Sequence, residues 1–201
     1  MPNSFFALIS RMKYISRWSL MRSSAAENVQ EHSHMVAVIA HALAVIRRDI
    51  FGLEADPGAV AAAALFHDAS EIFTGDLPTP IKYYDSDIKA AYKRVESVAS
   101  GKLLSSLPEE LRRSYEPLLS YVHTSGTFSG DGIVPLIKAA DKLAAYIKCI
   151  EELKAGNLEF KLAAQQSRNK LAAFSMPEVE YFIEHFIPAF ELSLDEMDFS
   201  F

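Results

Sequence analysis

Eight consecutive residues, Ala59 to Phe66, carry no polar side-chain atom, and five of them are alanine. A run apolar on every side cannot face water along any edge, so it predicts a central, buried helix whose small side chains let neighbours approach closely. Asp56-Pro57 supplies a start signal, an N-cap followed by proline at the first helical position. The pattern runs on to about Phe73. The run ends on His67-Asp68, two polar residues placed where the chain is otherwise most apolar.

Helical spacing dominates the rest, and no stretch reads convincingly as a strand. From Glu27 to about Ile50 the stripe His32, Val36, Ile39, Leu43, Ile46 predicts one long amphipathic helix, with His34 and His41 roughly opposite and facing water. Further helices are expected at about 86–105, 108–122, 133–154, 159–174 and 177–190. Between them, Gly75-Asp76-Leu77-Pro78-Thr79-Pro80 reads as a stiff loop from which two prolines exclude helix. Residues 124–132 are the most loop-like segment. The expected fold class is all-α, a single globular domain over residues 1–201.

Composition removes several function classes. A net charge of −6 argues against binding polymeric nucleic acid, which favours a basic surface. No run approaches the ~20 apolar residues that cross a bilayer. The one cysteine, Cys149, excludes an internal disulfide and sits in an apolar helical run as a packed thiol. The first 22 residues hold Arg11, Lys13, Arg17 and Arg22 without an acid, which superficially resembles a transit peptide. Phe5, Leu8, Ile9 and Met12 nevertheless fall at helical spacing, so the segment is expected to dock as part of the domain, in a soluble, cytoplasmic protein.

Three helices place ionisable groups on apolar stripes: His32, the pair His67-Asp68, and Asp141 amid Val134, Ile137, Ala144 and Ala145. A buried unpaired carboxylate costs several kcal/mol. Lys138 or Lys142 could neutralise Asp141 alone. A single divalent ion shared by His32, His67, Asp68 and Asp141 accounts for all four residues together. Two imidazoles and two carboxylates suit Mn²⁺, Fe²⁺, Co²⁺ or Zn²⁺ rather than Ca²⁺. Glu71, three and four residues beyond the pair, faces the same pocket if its helix continues.

The order His, His-Asp, Asp on a helical chain resembles the HD-domain superfamily of metal-dependent phosphohydrolases over about residues 27–150. Its bacterial 5′-deoxynucleotidase branch is resembled further through Phe5-Phe6-Ala7, Ser16-Arg17-Trp18, Glu27-Asn28-Val29, Glu31-His32-Ser33, Phe66 to Glu71, Gly75 to Pro80, and Tyr146 to Glu152. The resemblance implies hydrolysis of deoxyribonucleoside 5′-monophosphates to deoxynucleoside and phosphate by a homodimer. It gives Glu71 the role of base and Arg17 that of orienting the phosphate, and uses Trp18 to select deoxyribose. Asp76, Leu77, Pro78 and Thr79 contact substrate, as do Asp68 and Asp141, and Asp76 assists proton transfer. Many two-metal relatives carry two more histidines before the last aspartate. Only His123 lies in that interval here, so one metal is expected, with His123 in a loop or at the surface. Lys82 is a weaker candidate for phosphate contact. Three alternatives remain open: another HD-type nucleotide phosphohydrolase acting on triphosphates or cyclic nucleotides, a non-catalytic helical module stabilised by its metal, and a helical regulator that binds a nucleotide without hydrolysing it.

Overall fold

A computed structural model describes residues 3–82, 84–120 and 133–197. Among these the architecture is all-α, with a single isolated bridge between Ser16 and Asn28 as the only extended pairing. In chain order the α-helices are α1 (Phe5–Ile9), α2 (Val29–Asp49), α3 (Pro57–Ala64), α4 (Glu71–Thr74) and α5 (Thr79–Lys82). They continue as α6 (Ser86–Ser105), α7 (Glu109–Ser120), α8 (Ile133–Lys154), α9 (Lys161–Ala172) and α10 (Pro177–His185). Short 3₁₀ turns follow α1 and precede α9.

α2 and α8 form the centre, and α3 and α10 pack against α2. The α2 stripe is buried as its spacing requires, while His34 and His41 are exposed. Asn28 starts the helix as half of a capping box. Its Oδ1 accepts from the N–H groups of Gln30 and Glu31 at 3.0 Å, and Glu31 accepts back from the Asn28 N–H. Leu136, Ile137, Ala140, Leu143, Ala144 and Ile147 of α8 complete the same core. Phe5 and Met12 are buried and Leu8 and Ile9 half-buried, with Phe5 packed among Ala69, Leu103, Leu107 and Leu119. The N-terminal segment is part of the folded body.

Three expectations require correction. α3 is not the most central helix. Val60, Ala63 and Ala64 face the core, Ala59, Ala61 and Ala62 are half-buried, and Leu65 stays 46% exposed. Nor does α3 reach Phe73. Beyond Ala64 the chain tightens into i→i−3 turns, with N–H groups of Phe66, His67, Ala69 and Glu71 donating to the carbonyls of Ala63, Ala64, Phe66 and Asp68. A side chain joins the break. His67 Nδ1 donates to the Ala64 carbonyl at 2.9 Å, and the His67 backbone N–H shares that acceptor at 3.2 Å. The third correction is at the proline loop, which spans only Gly75–Pro78. Pro80 then sits inside the first turn of α5, where a missing N–H costs nothing.

Candidate metal centre

Helix α2 brings His32, the turn after α3 brings His67 and Asp68, and α8 brings Asp141 to one point. His32 Nε2 lies 3.1 Å from Asp141 Oδ1, and one ligand atom each from His32, His67 and Asp141 lie within 4.8 Å of one another. Asp68 Oδ2 is 3.0 Å from His67 Nε2 and 3.8 Å from His32 Nε2. The imidazole centroids are 5.2 Å apart.

The donor chemistry fits a cation. A carbonyl can only accept, so the Ala64 contact makes His67 Nδ1 the protonated nitrogen and leaves a lone pair on Nε2. That Nε2 is buried and faces Asp68 Oδ2 at 3.0 Å, while His32 Nδ1 is buried with no hydrogen-bond partner. Burial and the nearby Arg17 guanidinium lower the pKa of His32, which favours the neutral, ligating ring. Burial opposes the Asp141 charge, yet Lys142 and the two imidazoles hold its carboxyl well below the ordinary range. Burial likewise opposes Asp68, but His67, His32 and Arg17 outweigh it. His32, Asp68 and Asp141 therefore stand in the protonation states that bind a divalent ion, whereas His67, raised by Asp68 and Asp141 against the effect of burial, gives up a proton when it takes up a cation.

Glu71 reaches this region by a tight turn and a fresh helical turn rather than by continuation of α3. It is 4% exposed, and its Oε2 has no hydrogen-bond partner. Burial, with Asp68 and Asp76 beside it, pushes its carboxyl up to about 10. Among these neighbours Glu71 holds a proton at neutral pH. Positive charge brought to Asp68 draws that value down and makes the carboxylate available as an acceptor. Asp76, half-buried after Gly75, is raised by burial although Arg17 draws it back. Gly75 has φ of 69°, a left-handed value that glycine adopts without strain. Leu77 and Pro78 are half-buried beside Asp76, and Thr79 opens α5. Lys82 pairs with Glu96 at 2.8 Å, which ties it to α6.

The residue that sequence reasoning missed is Glu27. Its Oε2 accepts from Arg17 Nε at 3.1 Å and from Trp18 Nε1 at 2.8 Å, while Oε1 stands 3.8 Å from His32 Nδ1. Arg17 Nη1 reaches Asp68 Oδ2 at 3.5 Å, so the guanidinium spans Glu27 and the candidate ligands. Trp18 stacks obliquely on Phe160 at 5.2 Å and adopts φ of 58°. That region is costly for a bulky residue and persists where surrounding contacts enforce it. An Arg-Trp pair offering two partly buried donors called for a common acceptor, and this was the available signal. His123 and residues 124–132 lie outside the described residues.

The chain matches the family model described as 5′-deoxynucleotidase YfbR-like over residues 4–190. It belongs to the YfbR-like family. The 5′-deoxynucleotidase of Vibrio vulnificus is 49% identical over 193 residues, covering 96% of this chain and 97% of that protein. The 5′-deoxynucleotidase of Erwinia tasmaniensis is 48% identical with 96% and 95% coverage. Among solved structures, an HD-domain phosphohydrolase from Listeria innocua aligns with a TM-score of 0.77 and 25% identity, covering 93% of this chain and 88% of that one. The cyanophage S-2L HD phosphohydrolase DatZ, bound to dA and one catalytic Zn²⁺, shares the fold at a TM-score of 0.59 and 19% identity, with 90% and 95% coverage. The YfbR-like family thus has the HD fold at this level of similarity.

Proposed function

We propose that this YfbR-like chain is a metal-dependent 5′-deoxynucleotidase that hydrolyses deoxyribonucleoside 5′-monophosphates to deoxynucleoside and phosphate. The observation that carries the reading is the approach of His32, His67, Asp68 and Asp141 to one point, with the buried Nε2 of His67 turned toward Asp68 and the Nε2 of His32 toward Asp141. In our reading these four residues hold one divalent transition ion, Co²⁺, Mn²⁺, Fe²⁺ or Zn²⁺. When bound, such an ion polarises a phosphoryl oxygen and acidifies water at the site.

The chain's own residues do the rest. Arg17, steadied through its Nε by Glu27, presents the remaining guanidinium N–H groups to the phosphate. Trp18, fixed by Glu27 and Phe160, crowds the position of a 2′-hydroxyl and so favours deoxyribose. Glu71 takes the proton from the attacking water, and Asp76 assists its transfer toward the leaving oxygen. Asp68 and Asp141 border the bound phosphate. Leu77, Pro78 and Thr79 continue the substrate wall from Asp76 on a backbone stiffened by proline.

The reading includes a single domain over residues 1–201, a homodimer, and a cytoplasmic setting. No described helix is long and apolar enough to cross a membrane. Folded protein supplied with Mn²⁺ or Co²⁺ is expected to release phosphate from dAMP or dTMP, and absence of release refutes the activity. Pyrophosphate or tripolyphosphate among the products would instead indicate the triphosphate-directed HD activity.

A further inference from the structure

A cavity of about 330 Å³ opens beside Asp141, between α5, α6 and α8. Its walls carry Lys82 from α5, Lys89 and Lys93 from α6, and Lys138 and Lys142 from α8. Among the described residues two carboxylates line it, Glu96 and Asp141, paired with Lys82 at 2.8 Å and Lys142 at 3.2 Å, so lysines outnumber acids by three. In a chain of net charge −6, this gathering of ammonium groups from three separate elements is a local reversal of sign.

The charge is more than one phosphate monoester needs. At the candidate metal centre, Arg17 already stands beside Asp68 to receive a phosphoryl group. Lysine is a compact cation that contacts oxygens from many directions, so several lysines in one cavity suit a chain of phosphoryl groups better than a single planar anion. The volume lies at the lower end of the range for small-molecule sites. Tyr92 and Phe174 add aromatic surface, and Lys82 Nζ already lies 4.7 Å over the Tyr92 ring.

We propose that this cavity is a second anion site that takes the polyphosphate chain of a nucleoside di- or triphosphate. The occupant's nucleoside identity rests on the nucleotidase reading, whereas the lysine-lined site does not. Asp141 belongs to both the cavity wall and the candidate metal centre, so a seated polyphosphate obstructs the monophosphate. The enzyme would then answer to the supply of phosphorylated nucleotide as well as to its own substrate.

Titration calorimetry of the full chain tests the site, both as purified and after metal removal, so that chelation heat is separated from binding. The probes are inorganic phosphate, inorganic tripolyphosphate and dATP. Lys93 and Lys138 are exposed, so K93Q/K138Q is expected to fold normally, with an unchanged thermal midpoint as the control. Tripolyphosphate and dATP are expected to bind metal-free protein at least about tenfold tighter than phosphate, and K93Q/K138Q to lose about tenfold for both. Equal affinity for phosphate and tripolyphosphate overturns the proposal, as does unchanged tripolyphosphate binding in the variant. Tight dATP with weak tripolyphosphate also overturns it, since recognition would then lie in the base. Lysine-dependent tripolyphosphate binding by a chain that hydrolyses no dAMP supports the site while refuting the nucleotidase reading.

Discussion

The indole N–H of Trp18 and the Nε–H of Arg17 end on the same oxygen of Glu27, at 2.8 and 3.1 Å. One carboxylate thereby sets the attitude of both side chains assigned to the substrate. The backbone supports it: the Arg17 N–H donates to the Glu27 carbonyl and the Val29 N–H to that of Ile15, each at 2.9 Å.

Glu27→Gln keeps the shape but gives up the charge shared by the two donors. A hydrogen bond to a charged group contributes about 1.5–3 kcal/mol, so kcat/KM for dAMP is expected to fall about ten- to a hundredfold. Discrimination against AMP should narrow as well, because the indole loses its anchor. Steady-state kinetics on dAMP and AMP measure both. An unchanged deoxy-to-ribo ratio would show that Trp18 does not depend on Glu27.

Glu71→Gln separates fold from chemistry. The native carboxyl is buried and raised to about 10, so a neutral amide of the same size should cost under about 1 kcal/mol of stability. Turnover should drop about 10²–10⁴-fold with metal content preserved. Metal analysis, thermal unfolding and phosphate release on one preparation decide it. Unaltered turnover would remove Glu71 from proton transfer.

Behind the Arg17–Trp18 strap, α8 supplies a buried ion pair. Lys148 Nζ donates to Glu152 Oε1 at 2.5 Å and to the Ala25 carbonyl at 2.6 Å, and the Ser24 N–H donates to Glu152 Oε2 at 2.7 Å. Burial opposes the Glu152 charge, but Lys148, the Ser24 N–H and Asn157 hold its pKa well below the ordinary 4.5. A depressed carboxyl stabilises fully above its unfolded value and loses that contribution as pH falls through the folded one. Resistance to urea should therefore fall below about pH 4.5, and Glu152→Gln should flatten that slope. Lys148→Met strands the carboxylate and is expected to cost about 3–5 kcal/mol at neutral pH.

Cys149 is fully buried against Phe160, and burial pushes its thiol up to about 12. Native protein should resist Ellman's reagent at neutral pH and react once unfolded. Rapid labelling of the folded chain would contradict this packing.

Much of the fold was legible because local signals and tertiary packing agree. α6 and α8 begin and end where their periodicity and flanking turn residues place them. The convergence of His32, His67-Asp68 and Asp141 could be read because polar groups on apolar stripes demand a partner. The break after Ala64 could not, since the apolar pattern runs on through Phe66 while the N–H bonds already shift to i→i−3 there. The central position assigned to α3 failed for a related reason. Alanine is apolar but small, so half-burying Ala59, Ala61 and Ala62 costs little, and bulkier residues on α2 and α8 claim the middle. Glu27 escaped notice because its role is a contact across an irregular strap, which has no period.

The Ala64 carbonyl that ends α3 also decides which face of imidazole 67 is basic. Tautomer choice in this ring is settled as the polypeptide acquires its shape, ahead of any ion's arrival. Unfolding the turn and misassigning the ring proton become the same event, so whatever displaces that backbone carbonyl is felt in coordination chemistry.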